Sequence, residues 1–200
     1  MNAETWDERY AASELVWGAA PNRWVEQECA ALPPGTALDL ACGEGRNALW
    51  LAELGWQVSA VDFSAVGLQK GAAAEQRSPA RHPIDWICAD VTGYRHPQPV
   101  DLVLISYLQV IASERRTVVR NAAETLAPGG VLVVVAHHSL NLTAGAGGPQ
   151  DASVLYSSED LVADLDGTDA VIDKAERALR PVDGAPRPAI DALLRAHRAR

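Results

Sequence analysis

The sequence predicts an α/β fold: a doubly wound, mostly parallel sheet of seven strands, with helices on both faces and a C-terminal antiparallel hairpin. Three observations carry this expectation. Apolar runs and helical segments alternate between residues 37 and 136. The apolar runs lack polar alternation, as strands covered on both faces do. A glycine-rich turn joins the first run to the first intervening helix, the place where such folds hold ligands.

Taken in order, residues 1–32 read as a helical cap. Thr5-Trp6-Asp7-Glu8 fits a capping box. Trp6 and Tyr10 stand four apart and share a helix face. Asn22 is placed to cap a second helix carrying Val25, Cys29 and Leu32. The core, 37–136, offers strands at Ala37–Ala41, Gln57–Val61, Ile84–Ala89, Val100–Ile105 and Val131–Ala136. Between them lie helices at Arg46–Leu54, ended by Gly55, and Ser64–Gln76, opened by a serine cap. A third spans Ser113–Leu126 and stops at Pro128-Gly129-Gly130. This β-α-β repeat implies right-handed crossovers. The loop Ser139–Ser153 is rich in glycine and small residues, as lids and binding loops are. Residues 157–200 read as a final helix and two strands, Ala170–Val182 and Pro188–His197, around a turn at Asp183–Arg187. The last segment suits helix equally on propensity. The 200 residues fit one domain.

Seventeen basic and 26 acidic residues leave a net charge of −9. Such a chain repels phosphate backbones, which argues against a nucleic-acid partner. Arginines thicken at the end, from Arg177 to Arg200, and read as a solvated tail. Cys29, Cys42 and Cys88 are far apart, with no zinc or disulfide spacing, and each sits in an apolar run. Buried, reduced thiols are expected. The start is polar, and no run reaches the roughly 20 apolar residues of a membrane span. A cytoplasmic protein without membrane contact is expected.

Chemistry concentrates in Leu38-Asp39-Leu40-Ala41-Cys42-Gly43-Glu44-Gly45-Arg46-Asn47. Glycines let backbone approach a ligand, and free N–H groups at a helix start meet polar or anionic groups. Asp62 ends the next strand, 19 residues after Gly43, where a carboxylate can accept from both hydroxyls of a ribose. This pair does not choose a cofactor. Gly43-Glu44-Gly45-Arg46-Asn47-Ala48 also satisfies a G-x-G-x-x-A dinucleotide fingerprint, so an NAD(P)-dependent oxidoreductase stands as an alternative. A non-catalytic nucleoside binder is another. Asp39 inside the first strand and Asp90 at the end of the third weigh against NAD, and no Tyr-x-x-x-Lys pair occurs. Asp90 can bond an exocyclic adenine amine while Val91 offers its N–H to a ring nitrogen.

These residues resemble the class I S-adenosylmethionine-dependent methyltransferases, and more narrowly the small bacterial tellurite-resistance-type proteins. The resemblance runs through Trp6-Asp7-Glu8-Arg9-Tyr10, Val16-Trp17-Gly18, Pro21-Asn22, the segment Leu38–Asn47, Asp62-Phe63-Ser64, Ala89-Asp90 and Leu126-Ala127-Pro128-Gly129-Gly130. Ala41 departs from it, since that position is usually glycine. The resemblance implies a Rossmann-like methyltransferase fold, S-adenosylmethionine as cofactor and S-adenosylhomocysteine as product. It implies that Ala41, Cys42, Gly43 and Gly45 form the loop against the methionine part, with Asp39 behind it near the amino group. Asp62 would hold the ribose, Phe63 would flank the adenine, and Asp90 and Val91 would read its edge. Ser106 would lie near the sulfonium, and Trp17 and Asn22 would cover the cofactor. Arg46 would meet the carboxylate or stay exposed.

A soft acceptor needs little base catalysis, whereas a hydroxyl or carbon acid needs a base. His137 and His138 end the fifth strand at the edge where such sheets hold their sites. Adjacent strand residues face opposite ways, so at most one enters the pocket; the other reading has both bracing the following loop. Tyr107, Asn141 and Tyr156, the last closing over the site, are further candidates. The expected partner is a small-molecule methyl acceptor. Neither its identity nor the oligomeric state is written in these motifs.

Overall fold

The computed structural model describes residues 2–200. Its centre is a seven-stranded sheet. The strands are β1 (Thr36–Leu40), β2 (Gln57–Asp62), β3 (Asp85–Cys88), β4 (Val100–Ser106), β5 (Leu126–His137), β6 (Ala170–Arg180) and β7 (Ala189–Arg198). They are ordered β3-β2-β1-β4-β5-β7-β6. The first five are parallel; β7 runs antiparallel to β5 and to β6. The expected doubly wound sheet and final hairpin are therefore present, and the last segment is strand. Its Ile190, Leu193 and Leu194 are buried because β7 lies between two neighbours.

The strand order reverses between β1 and β4, which opens a crevice at their C-terminal ends. Helices cover both faces. On one, α2 (Arg23–Cys29) and α3 (Arg46–Glu53) contribute Val25, Cys29, Ala48 and Leu51, packed with Leu102, Leu104, Val133 and Val135. On the other, α5 (Ala112–Thr125) and α7 (Ser158–Asp164) contribute Val118, Ala122 and Leu161, packed with Val103, Ile105, Leu132 and Val134. The helices α1 (Ala3–Ala11), α4 (Ala65–Arg77) and the short α6 (Asn141–Ala144) complete the chain. Ser64 caps α4 through Gly67 N–H, and Asn22 caps α2 through the N–H groups of Trp24 and Val25.

Several expectations are corrected. The first helix is capped by Asn2, which accepts from Thr5 N–H, so Thr5–Glu8 is helix interior and forms no capping box. Pro128-Gly129-Gly130 survives as a turn, but as a bulge inside β5: Val100 pairs with Leu126 and Leu102 with Val131. The loop after β5 is broken by α6 and by a 3-10 turn at Ala152–Val154. Cys88 is exposed, because β3 is an edge strand, while Cys29 is buried. The C-terminal arginines form no loose tail. Arg195 and Arg198 donate to the carbonyls of Glu28 and Leu126, and Arg180 pairs with Asp191. No helix among the described residues is long and apolar enough to cross a membrane.

Candidate active site

A cleft of about 760 Å³ opens at the C-terminal ends of β1, β4 and β5, inside the usual range of roughly 300–1,000 Å³ for small-molecule sites. A smaller one, about 380 Å³, lies at the opposite edge around His82 and His96, away from the loops described below.

One wall is the loop after β1. Ala41 and Gly43 have φ of 59° and Gly45 has 75°, so the chain coils left-handed three times before α3 begins. Gly43 turns its backbone N–H onto Asp62 Oδ2 at 2.8 Å, and Ser64 N–H meets Oδ1 at 2.8 Å. The carboxylate is 7% exposed and lines the cleft. Burial raises its pKa, and the two N–H bonds act in the opposite sense. Both oxygens keep a lone pair for hydroxyls. At Gly43 a Cβ would collide with the Tyr10 hydroxyl. Gly45 serves packing instead: a Cβ there would strike the Trp86 ring, and the residue is absent from the cleft lining.

The N-terminal segment forms the roof through long-range polar contacts. Asp7 accepts from Ser64 Oγ at 2.5 Å and from Val66 N–H, docking α1 on the start of α4. Lys70 pairs with buried Glu44 and donates to the carbonyls of Tyr10 and Ser13. Glu44 accepts from Val16 N–H, and Asn47 accepts from Asn22 N–H. Arg46 donates to the Trp17 carbonyl. Trp6 stacks on Tyr10 at 5.4 Å, and the Arg9 guanidinium lies 4.8 Å from the Trp17 ring.

Of the expected site residues, Trp17, Asn22, Ala41, Cys42, Gly43, Arg46, Asp62, Phe63, Val91, Ser106 and His137 line this cleft together. Asp39, Gly45, Asp90 and His138 do not. Asp39 is fully buried behind the loop, and neither carboxylate oxygen has a hydrogen-bond partner. Burial, and then the charge of Asp62, push its pKa up to about 7. Asp90 is exposed and accepts from Thr92 N–H and Oγ1 in a local turn. The two histidines part as strand alternation requires. His138 is buried on the opposite face, where its Nδ1 accepts from Leu140 N–H and braces the loop. Asn141 is also a brace, accepting from Ile190 N–H and donating to the Gly147 carbonyl. Tyr156 does not close the site. It is buried in the α5–α7 layer and donates to the Leu108 carbonyl, because its place beside His138 carries it to that face.

The far end of the cleft holds Tyr107, His137 and Arg180. Tyr107 has a left-handed φ of 58° and its ring lies 4.7 Å from that of His137. Behind them is Asp191 of β7, 0% exposed. Sequence reasoning missed Arg180 and Asp191, since neither belongs to a local motif.

Fold and site together define a doubly wound α/β protein with a roofed cleft at the C-terminal edge of its sheet. Residues 37–130 match the family described as a methyltransferase domain. That match spans just under half of the chain and marks its core as similar to methyltransferase domains. It is 27% identical over 135 residues to the putative methyltransferase YqeM of Bacillus subtilis, a match covering 64% of this chain and 53% of that one. TehB of Haemophilus influenzae superposes with a TM-score of 0.75 at 18% identity, over 98% of this chain and 66% of that one. The N-methyltransferase NodS of Bradyrhizobium japonicum, solved with S-adenosylhomocysteine, gives 0.75 at 16% identity over 100% of both chains. The chain spans about half the length, or less, of the curated relatives it matches. Some of these are named for methylation of ribosomal RNA or tRNA.

Proposed function

We propose that the protein transfers a methyl group from S-adenosylmethionine to a small-molecule acceptor in the cytoplasm. The observation that carries the reading is Asp62: a buried carboxylate at the cleft wall, fixed by two backbone N–H groups and still able to accept from two ribose hydroxyls. Ala41, Cys42 and Gly43 would lie along the methionine part, Phe63 and Val91 would flank the adenine, and Ser106 would stand near the sulfur. Asp90 would reach the adenine edge only after leaving Thr92. Arg46, in the cleft lining at the start of α3, is the candidate for the carboxylate.

When bound, the cofactor supplies a methyl group already activated by a sulfonium. The chain's own part is to align the acceptor and exclude water, which is what a roofed cleft does. His137 is placed to take a proton from an acceptor that carries one. The net charge of −9 disfavours an RNA acceptor. No lysine stands in the cleft lining among the described residues, so a Tyr–Lys pair for hydride chemistry finds no support.

Thermal unfolding with S-adenosylhomocysteine and with NAD tests this. At about 100 times its Kd, a ligand of the native state adds about 2.7 kcal/mol, worth several degrees in a chain of this size. S-adenosylhomocysteine should produce that rise and NAD none. The reverse would overturn the assignment.

A further inference from the structure

His137 and Asp191 are direct cross-strand partners in the β5–β7 ladder, so their side chains leave the sheet on one face. His137 Nδ1 is buried, has no other partner, and lies 3.6 Å from Asp191 Oδ1. Catalytic contacts of this kind are often long before substrate binds. His137 Nε2 makes no hydrogen bond and is not among the buried polar atoms, while the residue lines the cleft. The other carboxylate oxygen, Oδ2, is saturated. It accepts from Arg180 Nε at 2.8 Å, Trp24 Nε1 at 2.9 Å and the Tyr107 hydroxyl at 3.0 Å. Three side chains thus hold one oxygen, while the second accepts only a longer bond from Arg180 Nη2, at 3.4 Å, and keeps a lone pair for the imidazole.

We infer that Asp191 is a positioning residue that fixes His137 with its proton on Nδ1, so that Nε2 faces the cleft as a base for an acceptor bearing an O–H or N–H group. This rests on the proposed methyl transfer and narrows its acceptor class. The proton passes from the acceptor to Nε2 as the acceptor's lone pair forms the new bond to the methyl carbon. The C–S bond breaks with its electrons going to sulfur, and the imidazolium later returns its proton to water.

The charged neighbours suit the role. Burial lowers the pKa of His137, Asp191 raises it, and Arg180 lowers it again by offsetting the Asp191 charge. The ring is thus kept neutral, the form a base requires. Tyr107, the other titratable group against it, is pushed up to about 12, chiefly by burial, and stays a neutral donor.

The test is the tautomer of His137, read by NMR of the full chain labelled with 15N-histidine and assigned by comparison with His137→Gln. At pH 7 the wild type should show Nδ1–H and bare Nε2. In Asp191→Asn, the three shorter donors at Oδ2 outweigh the 3.4 Å Arg180 Nη2 contact at Oδ1 and claim the amide oxygen, so its NH2 turns toward Nδ1 and the proton should move to Nε2. A wild-type ring that carries its proton on Nε2, or is doubly protonated at pH 7, would overturn the inference even where the variant does not fold. An unchanged tautomer in a folded Asp191→Asn would do the same. With labelled cofactor and a panel of phenol, amine and thiol probes, His137→Gln should lose at least about 100-fold on phenols or amines. Transfer to thiols alone in the wild type would refute the acceptor class. The S-adenosylhomocysteine shift should survive in both variants, so its absence from the wild type would instead count against the methyltransferase reading.

Discussion

Ala41 places an L-residue where the loop demands a left-handed turn, and replacing it with glycine should not destabilise the protein. Its φ is 59°, which costs an L-residue about 1–2 kcal/mol. Ala41→Gly removes that strain. Against it stand about 0.4–1 kcal/mol of added unfolded-state entropy and a few tenths for a half-buried methyl. The net is about 0–1 kcal/mol in favour of glycine, or a melting temperature unchanged to about 3 °C higher for a chain near 200 residues. Ala48→Gly is the internal control. The same atoms are deleted, but inside α3 and at a site 0% exposed. There glycine costs about 1 kcal/mol in helix propensity, plus the lost burial of the methyl group, so melting should fall by about 4 °C or more. Scanning calorimetry on the three proteins decides the matter. If both variants fall alike, the loop is not strained as described.

Two further outcomes follow from buried carboxylates. Asp62→Asn keeps the shape but must aim its NH2 at either Gly43 N–H or Ser64 N–H, both 2.8 Å from the present oxygens. Calorimetric titration should find S-adenosylhomocysteine bound about 10–100-fold more weakly, and unchanged affinity would remove Asp62 from the ribose site. Asp39 titrates near 7 in the folded protein against an ordinary 3.8, so folding raises its proton affinity. Its stabilising contribution is complete below about pH 4 and is lost as pH rises toward 7. Urea unfolding without cofactor should therefore show Asp39→Asn gaining on the wild type between pH 4 and pH 8, by up to a few kcal/mol. A constant difference across that range would mean that Asp39 is not buried without a partner.

The loop after β1 and the place of Asp62 beside it were legible because their determinants are local. Gly43 and Asp62 sit at or just past strand ends whose apolar runs are plain in the sequence, and backbone turns of this kind depend on few residues. The division of labour inside the loop was not legible. Gly45 answers to Trp86, which is 41 residues away and on another strand. Asp90 was placed beside the cofactor because it ends a strand, yet a threonine two residues on holds it in a turn. The capping box failed for a related reason: Thr5–Glu8 has the right letters, but Asn2 begins the helix three residues earlier.

The acceptor half shows why alternation carries information that motifs lack. His137 and His138 are the same residue type, one position apart, and nothing in their neighbours separates them. The sheet does. Period-two geometry sends His137 to the face of Val133 and Val135, and the antiparallel register then sets Asp191 opposite it. That register exists only because β7 folds back between β5 and β6, more than 50 residues after His137 in the chain. Arg180 reaches the same carboxylate from β6, and Trp24 does so from α2. A buried carboxylate is costly to keep without such donors, so the contacts from Arg180, Trp24, Tyr107 and His137 depend on one another. The edge hairpin therefore does more than close the sheet: it carries the acid that orients the one histidine facing the cleft.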